Sequence, residues 1–344
     1  MAVRAEGGLE FLGHVYGQKQ LKGGLASLYE EGKLPHTMIF YGDEGLGKTT
    51  AAFDLAAFLT KTDLDSDISF WNSEEAASET LLVSQSGRVY YIRPIGRGET
   101  LRIEQFRMFL DEMATFDETE RVCVIDEAQG MRQEIANAIL KTLEEPPKNL
   151  YFVLITHELS ALLPTIVSRG ARFPFFALSE EEYAALARSR ETDFHLKTDE
   201  EITNAYLLSE GNPGLTLEMF SASGVRQPDA AMDVWDVVTS GAIPFSEGTG
   251  LLPKDRAEFR RMIRWMMLIA RDFSVRSAAP SSDFARCRSI LGREEAIASE
   301  WDVEKAQRVI EILRTAESAC RLNISLKSIW DMVLVEMTRI RKEA

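Results

Sequence analysis

The sequence predicts an α/β domain with a parallel five-stranded sheet, followed by a small helical domain and a larger all-α domain. Short apolar runs alternate with helical patterns through the first half, which is typical of a parallel sheet covered by helices. A glycine-rich loop stands between the first apolar run and the helical pattern that follows it. Strand signals then stop after Leu178. The predicted boundaries are therefore 1–177, 178–224 and 225–344.

Five apolar runs are the predicted strands, and helical patterns separate them. The strands are residues 37–41, 88–93, 122–125, 151–156 and 172–176, and the helices are residues 49–59, 101–114 and 132–143. The pair Pro146-Pro147 ends the last of these helices, because a proline ring cannot continue one. In such a sheet, the loops that follow the strands line the ligand crevice.

The second half is helical in pattern from Ser179 onward. Ser179 is the predicted N-cap of a helix whose first turn is Glu180-Glu181-Glu182. A small helical unit continues to about residue 220, and stretches 221–228 and 241–253 are rich in Ser, Gly and Pro, as in connecting loops. The clearest later helices are 256–275, 303–322 and 326–341.

Composition excludes several classes of protein. A net charge of −15 disfavours a protein that coats DNA by itself, since neutralising phosphates needs clustered cations. Arginines do gather between residues 256 and 276, where we interpret them as the solvated face of an amphipathic helix. They are Arg256, Arg260, Arg261, Arg264, Arg271 and Arg276.

Cysteine usage and hydropathy indicate a cytoplasmic protein. Cys123, Cys287 and Cys320 are odd in number and far apart, which argues against a disulfide framework and predicts buried thiols. No apolar stretch approaches the roughly 20 residues that a membrane helix needs, and the first residues lack the apolar core of a signal peptide. We therefore expect no contact with a membrane.

The stretch from Gly42 to Thr49 (GDEGLGKT) matches the P-loop pattern and lies where that pattern must, between a strand and a helix. The glycines let backbone N–H groups turn around phosphate oxygens, and the helix that follows adds the positive end of its dipole. The alternative is a plain glycine-rich turn, which this context disfavours. The predicted nucleotide-binding residues are Gly42, Gly45, Gly47, Lys48, Thr49 and Thr50.

Two carboxylates, Asp126 and Glu127, follow the apolar run 122–125. Their place at the carboxyl end of a strand brings them to the predicted crevice. We expect Thr49 and Asp126 to hold Mg²⁺, and Glu127 to polarise the water that attacks the terminal phosphate of ATP. A solvated turn is the alternative for this pair.

Beyond the nucleotide motifs, several stretches resemble the AAA+ clamp-loader family. The run NAILKTLEEPP at 137–147 is similar to the family's signature helix, and LPTIVSRG at 163–170 is similar to its Ser-Arg-Cys motif with glycine in place of cysteine. Gly17-Gln18 and Leu34-Pro35-His36 also resemble the start of the family's ATPase domain. The resemblance covers roughly residues 11–220 and implies an AAA+ P-loop domain, a lid domain and a C-terminal helical collar for oligomerisation.

The resemblance implies roles for two further residues. Arg169 would reach in trans, as an arginine finger, to the phosphates bound by a neighbouring subunit. Thr156, at the end of its strand, would be the polar sensor of the terminal phosphate.

The same resemblance implies partners. They are other clamp-loader subunits (gamma/tau and delta), the sliding clamp and, through the assembled ring, primer-template DNA. Arg132, Lys141 and Lys148 are candidates for DNA contact by position alone, and solvated charges are the favoured interpretation of them. Stretch 60–86 contains no cysteine, although many relatives hold a zinc module there, so we expect no zinc.

Three functions stay open at this point. The form Gly211-Asn212-Pro213-Gly214 resembles the delta-prime branch, a stator that hydrolyses little ATP, because motor subunits carry an arginine at the position of Gly214. The intact Gly47-Lys48-Thr49 and Asp126-Glu127 sets favour instead a gamma/tau-like motor. An AAA+ protein outside replication would keep the nucleotide site and lose the clamp partners.

Overall fold

The structure is a computed structural model that divides into two compact units. One unit comprises Met1–Leu186 with Asn212–Gly214, and the other comprises Ala187–Gly211 with Leu215–Ala344. The residues described are 11–68, 80–95, 101–113, 119–189, 194, 198–220, 227–241, 251–279, 293, 297–320 and 324–343. The predicted division into three domains at 177 and 224 stays a prediction.

A mostly parallel sheet forms the centre of the first unit. Its strands are β1 Thr37–Tyr41, β2 Leu82–Val83, β3 Val89–Ile92, β4 Arg121–Ile125, β5 Leu150–Thr156 and β6 Ala171–Pro174, in the order β2-β3-β4-β5-β1-β6. The five predicted strands are confirmed and run parallel to one another. The sheet also has an edge strand that sequence analysis missed, β2, which is antiparallel to β3 and too short to show a period.

Helices cover both faces of this sheet. They are α1 Lys19–Glu30, α2 Lys48–Thr60, α3 Leu64–Asp67, α4 Ile103–Met113, α5 Gln133–Glu144 and α6 Pro164–Val167. A further helix, α7 Glu180–Arg188, follows β6 in the chain. In β1, Met38 and Phe40 join a core cluster with α2, whereas Ile39 joins a second cluster with α4 and α5. A sheet buried on both faces explains why the strands read as continuous apolar runs.

The register of the sheet brings the predicted site residues to one edge. Tyr41, the last residue of β1, pairs with Thr156, the last residue of β5, and Ile125 at the end of β4 pairs with Leu154. The P-loop, Asp126-Glu127 and Thr156 therefore follow neighbouring strands at the same carboxyl edge. This is the edge where open α/β sheets bind ligands.

Helix α2 carries a buried carboxylate, Asp54, that is held by His14. The His14 backbone N–H donates to one carboxylate oxygen at 2.8 Å, and its ring Nδ1 lies 2.6 Å from the other. Burial raises the pKa of Asp54, and the hydrogen bonds from His14 partly offset this. The pair attaches the chain before α1 to the helix that begins at the P-loop.

The second unit is helical throughout its described part. Its helices are α8 Asp199–Ser209, α9 Pro213–Phe220 (whose first two residues belong to the first unit), α10 Gln227–Ser240, α11 Arg256–Ala278, α12 Val303–Cys320 and α13 Leu326–Lys342. Four fully buried tryptophans dominate its core: Trp235, Trp265, Trp301 and Trp330. Trp301 donates its indole N–H to Thr239 Oγ1 at 3.1 Å.

Arg264 of α11 corrects the prediction of a solvated face. Arg264, whose side chain is 21% exposed, forms ion pairs with Glu218 of α9 and with Glu317 of α12, the latter at 3.0 Å. Arg256 donates to the carbonyl oxygens of Cys320 and Ile324. The interpretation is therefore wrong for Arg264, whereas Arg256 is exposed and also bonds the chain at the end of α12.

The predictions made for Ser179, Cys123 and Cys320 are confirmed. Ser179 Oγ accepts from the Glu182 N–H at 3.3 Å and Glu182 Oε2 accepts from the Ser179 N–H at 3.2 Å, so Ser179 caps α7. Cys123 and Cys320 are buried thiols, while Cys287 and most of stretches 221–228 and 241–253 lie outside the described residues. Among the helices in the described ranges, none has the length and hydropathy to cross a membrane.

Candidate functional site

The P-loop joins β1 to α2 through three glycines with positive φ: Gly42 (140°), Gly45 (84°) and Gly47 (84°). A side chain is strained in that region of φ, and at Gly42 a Cβ would also lie 2.5 Å from the carbonyl oxygen of Phe175. Gly47 is the N-cap of α2, so the loop leads directly into the helix N-terminus. The backbone is thus folded as a phosphate-binding loop requires.

Lys48 lies inside this loop, with only 7% of its surface exposed. Its Nζ donates to the carbonyl oxygens of Gly42 at 2.7 Å and Asp43 at 2.6 Å. Burial lowers the pKa of Lys48, and the carboxylates of Asp126, Glu127, Glu44 and Asp43 partly offset this. A cation is therefore held by the loop's own carbonyls, next to the carboxylates that follow β4.

Thr49 and Asp126, the two predicted magnesium ligands, lie together. Thr49 Oγ1 is 3.5 Å from Asp126 Oδ2, at the limit of a hydrogen bond. The Tyr91 hydroxyl donates to the same oxygen at 2.7 Å, and the Glu127 N–H donates to Asp126 Oδ1 at 2.9 Å. Thr50, the next predicted residue, is half-buried in the first turn of α2.

Sequence analysis missed Tyr91, which fixes the orientation of the Asp126 carboxylate. Burial, together with the Asp126 charge, raises the pKa of Tyr91 well above its ordinary value, so its hydroxyl stays a donor. Tyr91 lies in β3, whose register places it opposite Val124 in β4. The signal in the sequence was the hydroxyl group of Tyr91, a polar group in a strand of otherwise apolar character.

Glu127, the predicted general base, has left-handed backbone geometry, with φ 48°. Strained φ values in non-glycine residues concentrate at functional sites. Gln129 Nε2 donates to Glu127 Oε2 and also lies 2.8 Å from His157 Nδ1. His157 Nδ1 is 3.7 Å from the same carboxylate oxygen. Gln129 and His157 hold this carboxylate, and sequence analysis identified neither of them.

Thr156, the predicted sensor, is buried at the end of β5. Its hydroxyl donates to the carbonyl oxygen of Glu158 at 3.0 Å and accepts from the Glu158 N–H at 3.2 Å. These bonds stabilise the turn after the strand. Its role as a sensor stays a prediction.

The tripeptide Asn212-Pro213-Gly214 contacts the tip of the P-loop. Asn212 Nδ2 donates to the Glu44 carbonyl oxygen at 2.7 Å, and the Gly214 N–H donates to the Gly45 carbonyl oxygen at 2.9 Å. A Cβ at Gly214 would lie 2.3 Å from Gly45 Cα. The two glycines therefore pack backbone to backbone, with no room for a side chain at position 214.

Arg169 lies at the surface, beyond α6, with 30% of its side chain exposed. It forms an ion pair with Glu144 at the end of α5, and its NH1 donates to the Thr165 carbonyl at 2.7 Å. The contacts described for Arg169 join it to α5 and α6 and include none to the P-loop. Its guanidinium is therefore held between the end of α5 and α6.

Gly170 takes the place of the cysteine in the Ser-Arg-Cys motif for a packing reason. A Cβ there would lie 2.6 Å from two side-chain carbons of Ile39, which is fully buried in β1. Interiors are close-packed, so Ile39 cannot shift freely to admit a side chain. Glycine at position 170 therefore leaves the space that the Ile39 side chain fills.

The sheet, the P-loop and the paired carboxylates define an AAA+ P-loop fold. A sequence profile of the family described as DNA polymerase III, delta subunit, matches residues 17–179. The matched region is just under half of the chain, and it supports a clamp-loader family of AAA+ proteins.

Individual relatives carry clamp-loader names. The chain is 27% identical over 195 residues to DNA polymerase III subunit gamma of Buchnera aphidicola, covering 54% of this chain and 52% of that protein. It is 30% identical over 170 residues to the tau subunit of Escherichia coli (49% of this chain, 26% of that protein). It is 27% identical over 172 residues to replication factor C subunit 3 of Saccharomyces cerevisiae (50% and 44%). The chain thus spans about half, or less, of the length of these relatives.

A solved structure, a gamma subunit-related protein of Thermotoga maritima, covers 92% of this chain at 17% identity with a TM-score of 0.47. That score is too low to carry an argument about function.

Proposed function

We propose that this chain is a delta-prime-like subunit of the DNA polymerase III clamp loader. It binds ATP with Mg²⁺ at its P-loop, supplies Arg169 to the ATPase site of a neighbouring subunit, and helps to load the sliding clamp onto primed DNA. The observation that carries the proposal is the backbone contact between Gly214 and Gly45, which leaves no space where motor subunits hold their arginine.

The residues around the P-loop fit a magnesium nucleotide. Lys48 supplies a buried positive charge, and Thr49 and Asp126 place a hydroxyl and a carboxylate oxygen 3.5 Å apart. Hard oxygen donors of this kind suit Mg²⁺, which would neutralise phosphate charge when bound there. Tyr91 keeps the carboxylate turned toward Thr49 by its hydrogen bond to the same oxygen.

The environment of Arg169 supports a role in trans. Its guanidinium is part-exposed and rests on Glu144, an arrangement that leaves it available to a phosphate group on another chain. A guanidinium stabilises the charge that spreads over the phosphoryl group during transfer, and arginines supplied in trans accelerate hydrolysis ~10³-fold or more.

A motor role is the second candidate, and the contact between Thr49 and Asp126 favours it, because both halves of the ATPase motif are assembled. The two roles differ in which nucleotide site turns over. A motor hydrolyses ATP at its own P-loop, whereas a stator contributes to hydrolysis at its neighbour's.

Contact with DNA and with the sliding clamp belongs to the same proposal. Arg132, Lys141 and Lys148 are exposed at the start and end of α5 and just beyond it. They are placed as phosphate contacts would be, on a surface helix and the loop after it. The absence of a zinc module also remains a proposal, since residues 69–79 lie outside the described ranges.

Reconstitution with the motor, delta and clamp subunits and primed DNA separates these roles. A stator predicts that Arg169→Ala lowers ATP hydrolysis by the complex at least tenfold, while Lys48→Ala leaves most of it. A motor predicts a large loss with Lys48→Ala as well. Arg172→Ala, at the exposed neighbouring arginine, is the matched control for Arg169, and Lys33→Ala is the control for Lys48.

Two outcomes would contradict the proposal. If Arg169→Ala leaves hydrolysis at the wild-type level, the role in trans is wrong. If the chain does not join the complex, and neither clamp nor DNA alters hydrolysis, an AAA+ function outside replication replaces it.

A further inference from the structure

Residues Asn212, Pro213 and Gly214, here called the 212–214 brace, hold two consecutive carbonyls of the P-loop. The bonds run from Asn212 Nδ2 to Glu44 O at 2.7 Å and from the Gly214 N–H to Gly45 O at 2.9 Å. Glu44 and Gly45 are exposed, so without the brace their carbonyls would face solvent and could rotate.

Fixing a carbonyl also fixes the N–H of the same peptide group. The described peptide bonds are trans, so each N–H points opposite to the preceding C=O. With the carbonyls of Glu44 and Gly45 turned toward the brace, the N–H groups of Gly45 and Leu46 point away from it. These N–H groups belong to the loop whose backbone donors bind phosphate.

Lys48 fixes the first part of the loop in the same way. Its Nζ donates to the carbonyl oxygens of Gly42 and Asp43. These two carbonyls directly precede the two that the brace holds. Four consecutive carbonyls are therefore anchored by donors, two from Lys48 and two from the brace. These bonds restrict the loop, and preorganisation of this kind raises affinity because less freedom is lost on binding.

The brace depends on the absence of side chains. A Cβ at Gly45 would lie 2.5 Å from Asn212 Oδ1, and one at Gly214 would lie 2.3 Å from Gly45 Cα. Gly45 also has φ 84°, where a side chain is strained. Both glycines are thus required for the two segments to approach closely enough for the hydrogen bonds.

We propose that Asn212 and Gly214 are positioning residues for the nucleotide, which set the affinity of the P-loop by anchoring its carbonyls from outside. In this role the backbone of position 214 substitutes for a side chain that would contact the nucleotide directly. The inference rests on the proposed function in one respect, which is that the P-loop binds a nucleoside triphosphate.

Substitutions in the full chain test the brace. Asn212→Asp replaces the donor by a carboxylate that repels the Glu44 carbonyl and keeps both glycines. Gly214→Ala forces the segments apart. We expect the dissociation constant for a fluorescent ATP analogue with MgCl₂ to rise about threefold to tenfold for Asn212→Asp, and roughly tenfold or more for Gly214→Ala.

Matched controls exist on exposed helix surfaces. Gly24→Ala adds the same methyl group in α1, where a Cβ meets nothing within 4 Å, and Asn137→Asp makes the same change at an exposed position of α5. Neither control should alter nucleotide affinity. All titrations are made well below the unfolding temperature of each variant, so that a loss of stability alone does not change the result.

Hydrogen exchange provides a readout that needs no nucleotide. The Gly214 amide should be protected in the wild type and lose protection in Asn212→Asp. If this protection is absent in the wild type, or if both variants bind the analogue as tightly as the wild type, the brace is wrong and the proposed nucleotide site stands. If the wild type itself does not bind the analogue, both proposals fail.

Discussion

The P-loop and the surface around Arg169 both contain glycines that leave no room for a side chain. They differ in how their cations, Lys48 and Arg169, are buried and held. At the P-loop, Lys48 is almost fully buried and its amine is held by two backbone carbonyls. Arg169 is part-exposed, and its described contacts are surface interactions with α5 and α6. The first cation is enclosed by its own loop, whereas the second is held at the surface by α5 and α6.

This difference indicates what kind of partner each region can bind. A loop whose charges are already held in place needs a small ligand that fits between them. A part-exposed guanidinium that is paired with one carboxylate can exchange that carboxylate for a stronger anion such as a phosphate. Substitutions in the isolated chain should therefore affect the two regions unequally.

The largest effect should come from Lys48→Ala. Removing the buried ammonium takes away the charge nearest the expected phosphates, and we expect nucleotide affinity to fall about 100-fold, or about 2.7 kcal/mol. Arg169→Ala should change the affinity of the isolated chain less than about twofold. Titration with a fluorescent ATP analogue measures both. Equal losses for the two variants would contradict the separation of the regions.

A smaller effect should follow Gly170→Cys, which restores the residue of the Ser-Arg-Cys motif. The new Cβ would lie 2.6 Å from the Ile39 side chain, and overpacking of this kind costs about 1–3 kcal/mol of unfolding free energy. Denaturant unfolding measures the loss. Combining it with Ile39→Val should recover part of the stability, and a purely additive double variant would show that the two positions are not coupled.

Tyr91→Phe should have a more modest effect. It removes the 2.7 Å hydrogen bond to Asp126 while keeping the buried ring, so we expect a loss of about 1 kcal/mol of unfolding free energy. Affinity for the magnesium nucleotide should fall a few-fold, because the carboxylate loses its orientation. Tyr151→Phe, at a half-buried tyrosine stacked on His36, is the control. A larger loss for the control would contradict the role of Tyr91.

The smallest effect should come from Glu144→Gln. The side chains of Arg169 and Glu144 are 30% and 47% exposed, so solvent screens their ion pair, and its removal should cost ~0.5 kcal/mol or less of unfolding free energy, and less still at high salt. Thermal unfolding at low and high ionic strength measures this. A loss of several kcal/mol would show that Arg169 is a structural residue and would weaken its role in trans.

Local patterns were sufficient to predict much of the fold. The five parallel strands, the P-loop and the Ser179 cap each depend on a few neighbouring residues, so one sequence reveals them. The edge strand β2 was missed because two residues have no detectable period.

The remaining features of the site depend on contacts between distant parts of the chain. Tyr91 reaches Asp126 only because β3 and β4 are neighbours, and Gly170 is explained only by Ile39 in another strand. The same holds for Arg264, which lies on the predicted amphipathic helix but has carboxylate partners on two other helices. A pattern of residue types along one helix does not reveal what lies opposite it.

The contact between Gly45 and Gly214 also constrains how such a chain can evolve. Any codon change at 214 that introduces a side chain first displaces the loop tip, because the two backbones already touch. An arginine at 214 would fit only after another change had moved one segment away from the other. A single mutation at either position is therefore expected to disturb the loop, and variants that keep the loop intact should retain both glycines.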